Sequence, residues 1–314
     1  MERAEALENA EATLNRAGYE VSRRCSARTS CFDFAARKEK HLVFVKVFPD
    51  IRDVSRGDAW GIKAISRCFT SVSLFISDMS DATVLKDDTV YSRYGIYVVT
   101  SKTLDDIVRG SLPLVEASPG GYCVRMVGSK IRERRHELGL SIGKLAEMAG
   151  ISRRTLYGYE RNMTRASVSA AYRLEEVLGV PLAKTIDIFD TFPGSPNLDS
   201  SSSSDQEKIR SHVLRFILGK LTKFDMKVSL THRAPFDFTA NCSHEAIKIL
   251  GGVLQKKEKA AEARIEEILS LSRIVKAKPL LIGRKKINTR DDIVFIDYND
   301  LAKMNYREEI TALF

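Results

Sequence analysis

The tripeptide FDF occurs twice, at residues 32–34 and 236–238, and each copy stands in the same series of predicted elements. An amphipathic helix precedes it. A strand with a lysine, a second helix, an apolar strand, a charged turn, another strand and a short helix follow it. Asp33 lies 43 residues before Ile76, and Asp237 lies 45 residues before Ile282. The shared order and spacing indicate a duplicated domain; the alternative is a chance similarity between two α/β domains, because the identical residues are few. The succession of helices and strands predicts a mixed sheet flanked by helices.

Two breaks divide the chain between these copies. The sequence SPGG at 118–121 ends the first third, and residues 191–205 are so rich in Pro, Gly, Asn and Ser that they cannot form a core. We therefore predict an α/β domain at 1–117, a helical domain at 122–190, a flexible linker at 191–205 and a second α/β domain at 206–314.

The positive charge of the chain is concentrated in its middle. The net charge is +9, and residues 123–185 hold 12 Lys and Arg against 6 Asp and Glu, whereas residues 1–122 hold 17 of each kind. A small, strongly basic segment suits the neutralisation of phosphates. A solvated basic face with no ligand has the same composition, so charge alone leaves both interpretations open.

Composition excludes several classes of protein. The five cysteines form no CxxC pair, which indicates reduced thiols rather than a disulfide framework or a zinc site. No apolar stretch approaches the roughly 20 residues that span a bilayer. The N-terminal residues are acidic and amphipathic, unlike a secretory signal. We expect a cytoplasmic protein with no membrane partner.

The basic middle segment divides into four short helices with clear capping signals. They are predicted at 131–138 before Gly139, at 142–148 after Ser141, at 152–161, and from Ser167 to Gly179. One apolar interior at helical spacing is supplied by Ile131, Leu138, Leu145, Ala146, Ile151, Leu156, Tyr159, Leu174 and Leu178.

This pattern closely resembles the helix-turn-helix of the phage-repressor (XRE-like) family, with the small residues Ala146 and Gly150 around the turn. The alternative is a four-helix unit that does not bind DNA. The resemblance implies that helix 152–161 enters the major groove of double-stranded DNA. The implied base-contacting residues are Arg153, Arg154, Tyr157 and Gly158, and the implied phosphate-contacting residues are Lys144, Ser152, Arg161, Asn162 and Arg165.

Two further features follow from this resemblance. Arg135 and Glu160 stand where the family forms a structural salt bridge, so they are assigned to the scaffold. Ile142 stands where the family often has a glutamine that bonds to DNA, so that polar contact is missing here. Arg153 and Arg154 have the side-chain fork that recognises guanine, although an arginine also binds phosphate alone.

The first FDF copy resembles the restriction-endonuclease-like PD-(D/E)XK superfamily, in particular archaeal Holliday-junction resolvases. The resemblance implies a nuclease site of Asp33, Lys46 and the helix-borne Glu11, where carboxylates hold Mg²⁺. Residues two apart on a strand share a face, so Lys46 requires an acid at position 44, which is Phe44. In the second copy, Lys248 has Ala246 at that place. We therefore predict no catalytic residues, no metal site and no cofactor.

The whole arrangement resembles a family of archaeal HTH-type transcriptional regulators. It predicts an α/β plus all-α fold in which two restriction-endonuclease-like mixed α/β domains flank a central all-helical phage-repressor-like helix-turn-helix domain. The predicted function is that of a sequence-specific DNA-binding regulator, a homodimer and not an enzyme. The alternatives are a Mg-dependent, structure-selective nuclease targeted by the helix-turn-helix, and an antitoxin-like protein-interaction module. No motif identifies a small-molecule effector.

Overall fold

The computed structural model describes residues 3–189, 212–231, 233–242, 247–254, 260–284, 292–306 and 308–314. They form mixed α/β sheets and a helical helix-turn-helix, so the predicted fold class is confirmed. The predicted linker at 191–205 lies outside the described residues, as does Ala246. None of the described helices is long and apolar enough to cross a membrane.

The bounds of the elements are as follows. The helices are α1 (Arg3–Arg16), α2 (Arg56–Phe69), α3 (Ser101–Val108), α4 (Gly128–Glu137), α5 (Ile142–Met148), α6 (Arg153–Glu160), α7 (Val168–Leu178), α8 (His212–Lys223), α9 (Ala261–Val275), α10 (Tyr298–Lys303) and α11 (Glu308–Thr311), and a 3-10 turn lies at Ile51–Asp53. The strands are β1 (Glu20–Val21), β2 (Phe34–Lys38), β3 (His41–Val47), β4 (Val72–Ile76), β5 (Met79–Ser80), β6 (Thr83–Val84), β7 (Thr89–Arg93), β8 (Ile96–Val99), β9 (Val115–Ser118), β10 (Gly121–Val124), β11 (Ala166–Ser167), β12 (Lys227–Leu230), β13 (Phe238–Cys242), β14 (Ile247–Val253), β15 (Lys278–Gly283) and β16 (Val294–Asp297).

The chain forms two compact units. Unit 1 comprises the described parts of Met1–Thr13, Phe48–Asp53 and Phe75–Thr191, and unit 2 those of Leu14–Val47, Val54–Leu74 and Phe192–Phe314. Unit 2 thus combines elements of both FDF copies. These bounds differ from the segments predicted at 1–117, 122–190 and 206–314. Composition marks breaks along the chain, but it does not say which distant segments pack together. The three-segment division stays a prediction.

The helix-turn-helix in unit 1 follows the capping signals of the sequence. Ser141, Ser152 and Ser167 are the N-caps of α5, α6 and α7, and the hydroxyl of each accepts a backbone N–H three residues on. Gly150 and Gly179 adopt φ of 62° and 66°, which a residue without a β-carbon tolerates best. Helix α4 begins at Gly128, three residues before the predicted start.

The interior of the helix-turn-helix contains most of the residues expected there. Its buried cluster joins residues of α4 to α7 with Val124 of β10 and with Met126, which follows that strand. Leu138 is the exception: its side chain is 43% exposed, so its predicted core position is wrong. It is the C-cap of α4, where the chain turns away from the interior.

The helix-turn-helix is joined to the sheet of unit 1 through strands. The order of neighbours is β8-β7-β9-β10-β11, and β10 pairs antiparallel with β11, which immediately precedes α7. The SPGG sequence forms the hairpin turn between β9 and β10, where Gly121 pairs with Ser118. The break seen in the sequence is therefore a tight turn within one sheet.

Unit 2 contains the Asp-bearing and Lys-bearing strands of the first copy and the sheet of the second. In the first copy β1, β2 and β3 are antiparallel neighbours, as are β12, β13 and β14 in the second. In the second copy β14, β15 and β16 continue in parallel. The helices α2 and α9 end in left-handed C-caps at Thr70 and Lys276. The two copies therefore share local geometry as well as element order.

Candidate nucleic-acid interface

Helix α6 presents a polar and aromatic face to solvent. Ser152, Arg153, Arg154 and Tyr157 are exposed on it. The guanidinium of Arg161 lies 4.7 Å from the ring centre of Tyr157, a cation–π distance that fixes the ring at the end of the helix. Arg153, Arg154 and Tyr157 are among the residues predicted to contact DNA bases, whereas Ser152 and Arg161 are predicted to contact phosphates.

Gly158, grouped with these residues in the sequence analysis, is buried. A β-carbon there would lie 2.9 Å from the hydroxyl oxygen of Thr164 in the loop that follows α6. The close approach of this loop therefore explains the glycine. Contact of a base with any α6 residue stays a prediction.

The predicted phosphate-contacting residues differ in how they are engaged. The Ser152 hydroxyl caps α6, and Lys144 Nζ lies 3.2 Å from Glu147 Oε2 on the exposed face of α5. Asn162, at φ 55°, accepts the backbone N–H of Gly128 at 2.9 Å through Oδ1. Arg165 pairs with Glu116 at 2.8 Å. Asn162 thus tethers the start of α4 to the end of α6, a role that sequence spacing did not indicate.

Arg135 and Glu160 form a buried ion pair beneath α6. Arg135 Nε lies 2.6 Å from Glu160 Oε1, and the same guanidinium donates to the carbonyl of Leu140 at 3.0 Å. Both residues are buried, so each charge depends on the other for compensation. The pair connects α4 to α6 and fixes the orientation of the exposed face.

A basic groove lies beside the end of α6. Its volume is about 510 Å³. Its polar lining consists of Arg125, Asn162, Thr164, Arg165 and Lys184. Glu116, which is buried, pairs with Arg125 at 3.1 Å as well as with Arg165. Burial alone would lower the pKa of Arg125, but Tyr97 and Glu116 favour its charged form and raise that pKa. Sequence reasoning missed Arg125 and Lys184 because they flank the helical motif.

The nuclease-type centre of the first copy lies in unit 2. Lys46 Nζ lies 3.8 Å from Asp33 Oδ1 and 3.9 Å from Asp58 Oδ1, and it also donates to the carbonyl of Ser30. The other oxygen of Asp33 accepts the backbone N–H of Val47 at 2.8 Å. Glu11 lies half-buried on α1, which the structure assigns to unit 1 at that residue. Asp33 and Lys46 are thus brought together, as the sequence pattern implied.

Asp58 is the residue of this centre that the sequence analysis missed. It is buried in the first turn of α2, where its Oδ2 accepts the hydroxyl of the N-cap Ser55 at 2.5 Å. Its Oδ1 makes no well-aligned hydrogen bond and instead takes ionic contacts from Lys46 and, at 3.2 Å, from Arg233. The serine-to-aspartate spacing that starts α2 is a helix-capping signal, and it was the only trace of this residue in the sequence.

The second copy has a different set of charges at the equivalent place. Asp237 accepts the backbone N–H of Val253 at 2.6 Å, as Asp33 does from Val47, so Lys46 corresponds to Gly252. The correspondence of Lys46 with Lys248 in the sequence analysis is therefore wrong. Counting back from the left-handed C-caps matches Asp58 with Arg264, a fully buried residue that lies 2.5 Å from Asp237.

Two protein-family models match separate parts of the chain. Residues 3–113 match the PD-(D/E)XK superfamily domain and residues 131–184 match a helix-turn-helix family. A "Putative HTH-type transcriptional regulatory protein" of Pyrococcus furiosus is 30% identical over 96% of this chain and 94% of its own length. A protein of the same name from Methanocaldococcus jannaschii is 31% identical over 88% and 86%. The chain belongs to this HTH-type transcriptional regulatory protein family.

One solved structure is also similar to part of this chain. The crystal structure of SinR, the master regulator for biofilm formation, in complex with DNA covers 17% of this chain and 90% of the SinR chain. The identity is 36% and the TM-score is 0.17. The resemblances to a helix-turn-helix, to the PD-(D/E)XK superfamily and to the regulator family are confirmed by the family comparisons.

In this member of the regulator family, the residues around Asp33 do not fit the divalent cation that the PD-(D/E)XK fold implies. Phe44 occupies the strand position of the second acid, is fully buried and lies 4.9 Å from Phe32 and 6.1 Å from Phe69, between ring centres. The carboxylates of Asp33 and Asp58 face cationic side chains instead. Among the described residues no group of three or more His, Cys, Asp or Glu side chains is placed to hold a metal ion.

Proposed function

We propose that the protein is a sequence-specific DNA-binding regulator that reads the major groove with α6. The observation that carries this proposal is the exposed set of Arg153, Arg154 and Tyr157 on a helix oriented by the buried Arg135–Glu160 pair. An arginine fork matches the O6 and N7 acceptors of guanine, and the tyrosine ring is able to contact a thymine methyl group. The names of the archaeal relatives and the positive charge of the segment support the same function.

The test is selection of bound sequences from a random duplex pool at stated salt, followed by binding measurements on the selected duplex. Arg153→Ala and Arg154→Ala are expected to lose about 1–3 kcal/mol each where the arginine contacts a base, and to relax the sequence preference. Lys102→Ala on α3 removes a charge outside the helix-turn-helix and is the matched control. Unchanged affinity and preference in the Arg153/Arg154 double variant would contradict the proposal.

We further propose that the protein is cytoplasmic and acts as a homodimer. The dimer is proposed because helix-turn-helix units usually bind two half-sites about one helical turn apart. A dimer predicts that the selected sequence is an inverted repeat and that the complex contains two chains per duplex. Sedimentation of the free protein and of the complex measures both numbers. A single chain bound to a non-repeated site would refute this part of the proposal.

The proposed function includes no DNA cleavage. Phe44 in place of an acid and the ion pairs around Asp33 and Asp58 support this statement. Branched and linear duplexes incubated with Mg²⁺ or Mn²⁺ are expected to stay intact. Cleavage that is present in the wild-type protein and abolished in Asp33→Asn would identify a nuclease instead. A protein partner that co-purifies in fixed ratio and blocks DNA binding would favour the antitoxin-like alternative.

A further inference from the structure

We propose that the basic groove beside α6 binds a phosphate of the DNA backbone outside the bases that α6 reads. This inference rests on the proposed DNA-binding function and extends it to residues at or beyond the edges of the matched helix-turn-helix, which covers 131–184. Arg125 precedes that segment, and Lys184 is its last residue. The groove therefore adds backbone contacts that the helix-turn-helix motif alone does not supply.

One wall of the groove is fixed by backbone pairing. Lys184 N donates to the carbonyl of Arg125 at 2.8 Å, and Val127 N donates to that of Leu182 at 2.8 Å. Leu182 N in turn donates to Glu175 Oε1 of α7 at 2.7 Å. The two chain segments run antiparallel, so the side chains of Arg125 and Lys184 are held on one wall by hydrogen bonds that involve no ligand.

The opposite wall is continuous with α6. It consists of the loop from Asn162 to Arg165, which begins directly after the helix C-cap Arg161. Met163 N donates to the carbonyl of Gly158 at 2.9 Å, and Asn162 holds the N–H of Gly128. When α6 lies in the major groove, this loop lies at the end of the helix, where the sugar–phosphate backbone borders the groove.

The charge of the groove suits a phosphate. Three cationic side chains, those of Arg125, Arg165 and Lys184, line the groove. One carboxylate, Glu116, pairs with the two arginines, so an excess of positive charge is left. Glu116 engages one edge of each guanidinium, and an arginine has five N–H donors. Thr164 adds a hydroxyl donor to the lining. Val127, the N-cap residue of the ten-residue α4, also lines the groove and brings the positive end of a helix dipole close to it.

The experiment is the salt dependence of binding to the selected duplex. Arg125→Gln and Lys184→Gln are each expected to reduce the slope of log K against log salt by about 0.9, the value for one phosphate contact on duplex DNA. The sequence preference is expected to stay unchanged, because phosphates carry no base information. Lys102→Gln, which removes one charge from α3, is expected to keep the wild-type slope. Slopes equal to wild type in both groove variants would overturn the proposal.

Two controls separate the possible failures. A wild-type protein that prefers no duplex would refute the proposed function, whereas a selective protein with unchanged slopes in the variants would refute the groove alone. Arg125→Gln removes one of the two arginines that pair with the buried Glu116, so this variant is the one at risk of unfolding. If the Arg125→Gln protein unfolds, Lys184→Gln decides the test, because Lys184 is exposed. Inorganic phosphate also has the chemistry of this groove. Thermal stabilisation by phosphate that both variants lose, with unchanged DNA slopes, would assign the groove to a small anion and overturn the DNA assignment.

Discussion

Arg28 and Asp237 form an ion pair at 2.8 Å although 209 residues separate them in the sequence. Arg233 makes the reverse contact, at 3.2 Å, with Asp58. Each arginine stands in the loop before its own FDF tripeptide and meets a carboxylate of the other copy. The two contacts are not equivalent, because Asp237 corresponds to Asp33 of the first copy whereas Asp58 corresponds to Arg264 of the second. Segments of both FDF copies are therefore linked by ion pairs in unit 2, and the carboxylates of Asp237 and Asp58 take part in this contact.

We expect Arg28→Ala to lower the free energy of unfolding by about 1–2 kcal/mol, between the values for exposed and buried pairs. Among the described residues, Asp237 then keeps the ion pair with Arg264. Urea denaturation of Arg28→Ala, Asp237→Asn and the double variant gives the coupling energy as a cycle. A coupling near zero would show that the ion pair does not hold the two copies together. The exposed pair Arg273–Asp292, at 2.7 Å, is the matched control, with an expected effect within about 1 kcal/mol.

Arg264 is a fully buried cationic side chain in unit 2. Its guanidinium donates to the carbonyls of Pro235 and Val253 and to Asp237, at 2.5, 3.0 and 2.5 Å. Arg264→Met removes one charge and all three bonds, and we expect it to cost about 3–5 kcal/mol in denaturation experiments. Arg264→Lys keeps the charge but not the fork, and its cost is expected to lie between that of wild type and Arg264→Met. Equal stability of Arg264→Met and wild type would show that Asp237 is compensated by Arg28 alone.

The helix-turn-helix could be predicted from the sequence because its signals are local. Ser141, Ser152, Ser167 and Gly179 each mark a helix end within a few residues of the apolar positions that they delimit. The strand register of the second copy could not be predicted in this way. The span from Asp237 to Val253 is two residues longer than that from Asp33 to Val47, so Lys46 corresponds to Gly252. Lys248 resembles Lys46 in residue type alone and lies four residues before that position.

The charged residues around Asp33 and Asp237 could not be predicted from the sequence either. Arg28, Arg233 and Arg264 belong to no motif, and their partners lie in distant segments of the chain. Glu267 of α9 is a further example, since its carboxylate accepts the backbone N–H groups of Ser26 and Ala27 at 2.7 and 2.8 Å. At Gly252, a β-carbon would lie 2.9 Å from Ile268 Cδ1, so a larger residue there would require the Ile268 side chain of α9 to shift.

The Arg135–Glu160 pair predicts that DNA binding depends on a buried charge remote from the proposed contacts. Glu160→Gln leaves Arg135 buried without a counter-charge, and we expect a loss of stability of about 3–5 kcal/mol together with loss of selective binding. Thermal unfolding and binding to the selected duplex measure the two effects. Lys144→Ala, which breaks the exposed pair with Glu147, should cost no more than about 1 kcal/mol. A Glu160→Gln protein as stable as the wild type would show that the Arg135–Glu160 pair does not stabilise the helix-turn-helix.

The cysteines provide a test of burial in unit 2. Burial raises the pKa of Cys25 well above its ordinary value and that of Cys31 to about 12. Only the thiolate reacts with iodoacetamide, so at pH 8 both thiols are expected to be unreactive in the folded protein and reactive in urea. Cys68 and Cys123 are half-buried and are expected to be modified first. Mass spectrometry of a time course identifies the order in which the cysteines are modified. Early modification of Cys31 would mean that the segment around Asp33 opens to solvent.

The ion pairs around Asp33 and Asp58 predict the response of the protein to divalent cations. A cation bound there would have to displace Lys46 from Asp33 and Arg233 from Asp58, and position 44 offers it no oxygen. Millimolar Mn²⁺ is therefore expected to leave the thermal midpoint of the wild-type protein unchanged. The midpoint of Asp33→Asn is expected to respond to Mn²⁺ in the same way as that of the wild type. Arg233→Ala tests the cause, because it removes one of the two cations that face Asp58. A Mn²⁺-dependent rise in the midpoint of wild type that Asp33→Asn and Asp58→Asn abolish would show a working metal site, and with it the nuclease interpretation would replace the one argued above.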